Sequence, residues 1–131
     1  MPFQKATKKG SRLRMLISGP AKAGKTYTAL TVGTTLARHR GGRVALIDTE
    51  FGSARKYADL FDFDTVDLNA PYSVERYIAL MHEAEQAGYA VIVVDSLTHG
   101  WIAEGGLLEE VDNIAARQAA ARAQQRTPDS F

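Results

Sequence analysis

No cysteine occurs in this chain of 131 residues, which excludes a disulfide framework and any zinc site built on thiolates. A charge imbalance is equally lacking. The 16 Lys and Arg against 15 Asp and Glu leave a net charge of +1, so no global field draws the chain to nucleic acid or a membrane, and any basic surface has to be local. No apolar run approaches the roughly 18 residues of a membrane-spanning helix. The basic beginning MPFQKATKKGSRLRMLIS leads into no uninterrupted apolar stretch of the secretory-signal kind, and no internal repeat is present. These absences point to a cytoplasmic protein. The remainder is ordinary: 45% hydrophobic and 24% charged residues are the composition of a soluble globular chain, long enough for one domain with a real core.

Along the chain, residues 1–11 read as a flexible basic leader and 12–131 as the folded core. In RLRMLIS (12–18), Leu13, Met15 and Ile17 alternate with Arg12, Arg14 and Leu16, the pattern of a strand. KTYTALTVGTTLARH then predicts a helix closed by Gly41 and Gly42, residues suited to a helix C-terminus. RVALIDTE (43–50) reads as a buried strand, SARKYADLF as a short helix and DTVDL (64–68) as a short strand. Pro71 and Ser73 open a helix whose face carries Val74, Tyr77, Ile78, Met81 and Ala84, stopped by Gly88. YAVIVVD (89–95) is an unbroken apolar run, as a strand covered on both faces requires. A last helix, 107–126, has Leu107, Leu108, Val111, Ile114 and Ala115 on one side. Strands alternating with helices predict an α/β fold: a mostly parallel sheet between two helical layers.

GPAKAGKT, residues 19–26, fits the loop that wraps a nucleotide's phosphates. A strand running into Gly19 and a helix leaving from Lys25 is the context this chemistry needs. Gly19, Pro20, Ala21, Lys22, Ala23 and Gly24 let the backbone curl so that successive N–H groups converge on phosphate oxygens. The helix N-terminus adds partial positive charge. Lys25 is expected to reach the β- and γ-phosphates of ATP, and Thr26 to hold Mg²⁺. Asp95 ends an apolar strand, from where a carboxylate holds Mg²⁺ through water.

The type of loop protein is narrowed by further residues. No N-K-x-D for guanine reading occurs, and Pro20 stands where partitioning-type ATPases have lysine. ALIDTE followed by VIVVDS resembles the strand pair of the RecA-like ATPases, and IDTEFGSARKYADLFDFD, PYSVERYIALMHEAEQAGY and VVDSLTHGWIAEGGLLEEVD together resemble the phage and prophage AAA-family ATPases. The resemblance runs from about Leu13 to the end of the chain. It implies a RecA-like P-loop NTPase fold, ATP hydrolysis with Glu50 orienting and deprotonating the attacking water, and a homo-oligomer acting on single-stranded DNA in recombination or replication, in the cytoplasm of a bacterial host. In such ATPases the strand after the Mg²⁺ aspartate inserts beside the phosphate-loop strand and carries a sensor for the γ-phosphate. This sequence ends at RTPDSF before such a strand, so a truncated chain is expected, its sheet lacking the central strand and left with two unpaired edges. A nucleotide-binding module without turnover, or a small-molecule phosphotransferase, stays open as an alternative.

Other residues carry two readings each. Lys5, Lys8, Lys9, Arg12 and Arg14 are read as a solubilising tail rather than a DNA contact. Arg117, Arg122 and Arg126, with acids at 109, 110 and 112, fit the helix dipole better than a DNA stripe. Trp101 stands equally for a base-stacking residue and a cover for the sheet edge, and His99 shares its place in THGW. His39, His82 and His99 lack metal-ligand spacing. Tyr27 either lies near the nucleotide or fills the helix–sheet interface.

Overall fold

Apolar side chains at successive positions of a strand point to opposite faces, so a continuous apolar run needs a cover on both sides. In a computed structural model, which describes residues 2–7, 10 and 12–125, the two such runs form adjacent parallel strands, β1 (Val44–Asp48) and β3 (Val91–Asp95). A third strand, β2 (Asp64–Asp67), pairs with the other side of β1, giving a parallel sheet of order β2-β1-β3. The helices are α1 (Lys25–His39), α2 (Val74–Gln86), α3 (Thr98–Ile102) and α4 (Leu107–Gln125), with a 3₁₀ turn at Ser53–Tyr57.

The sheet's two faces are sorted by this alternation. Leu46 and Val93 join Leu30 of α1 and Ala54 of the 3₁₀ turn in one cluster. Ile47, Ile92 and Val94 join Leu68, Tyr72, and Tyr77 and Leu80 of α2 in the other. Helices therefore cover both faces, and the expected α/β architecture with a parallel sheet is found. Leu30, Val44 and Leu46 are wholly buried, each contributing about 1.5–3 kcal/mol of hydrophobic transfer. At Gly33 the helix lies so close to the sheet that a Cβ would stand 3.4 Å from Val93.

Several expectations need correction. Residues 12–18 form no strand: the segment has no regular secondary structure, and Leu13, Met15 and Leu16 are 53%, 57% and 80% exposed. A strand exists through its ladder partner, and among the described residues none pairs with this segment or with the outer edge of β3. The strand expected over 43–50 is shorter, so Glu50 lies beyond its end, in a turn. The helix expected from Ser53 is a single 3₁₀ segment, and α3 was not anticipated. The helix face of α4 is present, but none of its residues is buried, with Leu108, Val111 and Ile114 exposed. Lys8, Lys9 and Arg126 lie outside the described residues.

Candidate phosphate loop and paired strand ends

Parallel pairing in register brings the C-terminal ends of β1 and β3 together, Asp48 opposite Asp95, at the end of the sheet where α1 begins. Ligands of open parallel sheets bind at this end. The loop before α1 is tightly wound. Lys22 and Gly24 have φ of 64° and 92°, and the non-glycine Lys22 carries about 1–2 kcal/mol of steric cost for that conformation. Ala23 N–H donates to the Pro20 carbonyl at 3.3 Å. No side chain caps α1 and no acid stands in its first turn, so its terminal N–H groups and dipole are available to an anion. Lys25 Nζ donates to the carbonyls of Gly19 at 2.5 Å and Pro20 at 2.9 Å, which folds the ammonium over the curl of the loop.

Loop and sheet meet at Thr26. Its hydroxyl donates to Asp95 Oδ2 at 2.7 Å across 69 residues of sequence. These two hard oxygen donors converge on one point, the donor chemistry that suits Mg²⁺ completed by waters and phosphate oxygens. Among the described residues no group of three or more His, Asp or Glu forms a cage for a metal. One hydroxyl and one carboxylate offer two hard oxygen donors, and a cation held there would take its other ligands from water or a bound molecule.

Beyond the strand ends the two chains are stitched together. Thr49 N–H donates to the Asp95 carbonyl at 2.8 Å, and Ser96 N–H donates to Thr49 Oγ1 at 2.8 Å. The Thr49 hydroxyl donates to the Ser96 carbonyl at 3.1 Å, which also receives the Tyr77 hydroxyl at 3.1 Å. Burial raises the Tyr77 pKa, keeping that hydroxyl a donor. Ser96 Oγ donates to Glu50 Oε1 at 2.9 Å. Asp48, buried at the end of β1, accepts from Glu50 N–H at 2.7 Å and from Ala54 N–H at 3.2 Å, which sets the turn carrying Glu50. The Glu50 side chain is 40% exposed, so water reaches its carboxylate.

Of the residues singled out from sequence, the fold brings Lys25 to the loop carbonyls, Thr26 to Asp95, and Glu50 to Ser96 beside Asp95. Tyr27 is 49% exposed, its ring edge-on to Tyr57 and Phe61 at 6.2 and 5.3 Å. Trp101 sits on α3, 53% exposed. Arg117 and Arg122 lie on the exposed α4, with Glu109 and Glu110 in its first turn. Asp48, Thr49, Ser96 and Tyr77 were missed as parts of this arrangement. The place of Asp48, Thr49 and Ser96 was legible, since D-T-E and D-S close the two apolar runs. Which of them face one another, and that Tyr77 joins them, depends on the strand register and the packing of α2.

A family model described as an AAA domain matches residues 11–124. The comparisons with curated proteins and with solved structures gave no match.

Proposed function

The chain belongs to the AAA domain family, an AAA-type family of P-loop ATPases, and from that premise we propose that it binds ATP and hydrolyses it to ADP and phosphate with Mg²⁺. The observation that carries the proposal is the 2.7 Å hydrogen bond from Thr26 to Asp95, which joins the end of the phosphate loop to the end of an apolar strand. Gly19 to Thr26 cradle the phosphates with backbone N–H groups and the α1 N-terminus. Lys25 exchanges the Gly19 and Pro20 carbonyls for the β- and γ-phosphates. Thr26 and Asp95 are the residues that would hold Mg²⁺, which when bound spreads the charge developing on the phosphate oxygens. Glu50, half-exposed and anchored through Oε1, orients the attacking water and takes its proton.

The finer reading is that this turnover drives work on single-stranded DNA by a homo-oligomer of phage type, in recombination or replication in the cytoplasm. Its support is the resemblance carried by the strand-end motifs, together with the exposed Trp101 on the short helix that follows Ser96, a ring on which a base can stack.

The test is ATP hydrolysis by the purified chain with Mg²⁺, with and without single-stranded DNA, beside Glu50→Gln. Turnover is expected to rise with DNA and to fall at least about 100-fold in the variant, the scale of a lost general base. Nucleotide binding without turnover in the wild type would make the chain a binding module instead. Consumption that depends on an added small-molecule acceptor would make it a phosphotransferase.

A further inference from the structure

We propose that His99 is a positioning residue for Glu50, an inference that rests on the reading of Glu50 as the base. The chain leaving β3 turns into α3, and the second residue of that helix returns over the end of β1. There His99 Nδ1 lies 3.1 Å from Thr49 Oγ1 and 3.6 Å from Glu50 Oε1. The ring stacks at a tilt on Tyr72, centroids 4.8 Å apart, with Phe51 edge-on at 6.4 Å. His99 is 24% exposed and Glu50 40%, so the imidazole is held from behind while the carboxylate stays open to water. His82, by contrast, has only a 3.7 Å contact with Glu85, both side chains well exposed.

The tautomer follows from the hydrogen bonds taken together with the neighbouring carboxylate. Thr49 Oγ1 has one proton, directed at the Ser96 carbonyl, and receives Ser96 N–H. With that proton on the Ser96 carbonyl, its remaining capacity is a lone pair, which matches a donor at Nδ1. The carboxylate 3.6 Å away agrees: a proton on Nδ1 faces it favourably, whereas a ring lone pair would be repelled. The Nδ1–H therefore donates to Thr49 and presents its positive end to Glu50 Oε1, the oxygen that also receives Ser96 Oγ–H at 2.9 Å. One carboxylate oxygen is thereby restrained from two sides, which leaves Oε2 for the attacking water. A base is effective only when its orientation is fixed before the reaction, and such supporting partners typically contribute 10–100-fold.

Two substitutions separate the N–H from the ring. His99→Phe preserves an aromatic ring against Tyr72 and Phe51 but removes the donor. His99→Asn discards the ring but keeps an amide N–H at the Nδ1 position. We expect kcat for ATP to fall about 10-fold or more in H99F and to stay within about 3-fold of wild type in H99N, with KM for ATP unchanged in both and thermal melts confirming folded chains. Normal turnover in H99F, or equal loss in both variants, would overturn the inference, since ring packing alone predicts the reverse order. Glu50→Gln in the same assay keeps the two levels apart. An inactive E50Q beside a normal H99F removes only the role of His99, whereas an active E50Q removes the base and its positioning together. Nitrogen-15 spectra of the imidazole supply a readout independent of turnover: the proton of the neutral ring is expected on Nδ1, and a proton on Nε2 would overturn the assignment.

Discussion

At the scale of single residues, the site depends on polar side chains that bond backbone groups of the neighbouring strand end and of the turns beyond it. Asp48 is the extreme case, buried with each carboxylate oxygen accepting one N–H, from Glu50 and Ala54. Asp48→Ala leaves both N–H groups without that acceptor and is expected to cost about 1–3 kcal/mol, read as a lowered denaturation midpoint. Because Asp48 sets the turn that carries Glu50, the same variant should also lose turnover. Thr26 offers a prediction of a different kind. Thr26→Val removes the hydroxyl that bonds Asp95 while keeping shape, so nucleotide affinity measured by titration should fall with Mg²⁺ present and change little in EDTA. An equal effect in both conditions would refute Thr26 as a metal-holding residue.

At the scale of elements, α3 shows how a short segment fixes a larger one. A Cβ at Gly100 would come within 2.7 Å of the Tyr77 ring, and Tyr77 is itself buried, with its hydroxyl on the Ser96 carbonyl. Gly100→Ala is therefore expected to destabilise by about 1–3 kcal/mol through overpacking, visible in a thermal melt, and to loosen the Ser96 turn. The sequence reveals elements unevenly for a physical reason. Strands β1 and β3 and helices α1 and α2 announce themselves because their apolar residues pack within this chain, β1 fully buried and β3 half-buried. On the expected α2 face, however, only Tyr77 and Ala84 are buried, while Val74, Ile78 and Met81 are exposed. The segment 12–18 carries an equally clear alternation yet forms no strand, since periodicity reports a capacity for pairing and not the presence of a partner. Among the site residues, GPAKAGKT and Asp95 were legible because loop chemistry is local. The Thr49–Ser96 stitching was not, because it exists only once two distant strand ends are in register.

At the scale of the whole molecule, charge binds the far end of the sheet as hydrogen bonding binds the site. Arg43 forms ion pairs with Asp62 and Asp64, both at 2.9 Å, and Tyr89 donates to Asp64 at 2.7 Å. The hydrogen bond from Arg43, aided by Tyr89, holds the Asp64 carboxyl below its ordinary pKa. The folded chain then binds this proton less readily than the unfolded chain. Stability from this group is present above the ordinary carboxylate pKa and is lost as pH falls through the lowered one. The Arg43, Asp62 and Asp64 side chains are 48%, 81% and 47% exposed, so solvent screening keeps the effect small. Asp64→Asn should flatten the acid side of a plot of melting temperature against pH while leaving neutral-pH hydrolysis intact. The register of β1 and β3 also bears on time. Thr49 and Ser96, whose contact completes the site, are 47 residues apart in sequence, and a parallel pair can form only after the intervening turn, strand and helix have been gathered in. Contacts between such remote residues are reached slowly. The loop and α1 are local structures able to form early, whereas the contacts of Thr49, Glu50 and Ser96 at the strand ends are assembled by a late closure. In hydrogen exchange during refolding, the amides of Thr49 and Ser96 should accordingly gain protection after those of α1.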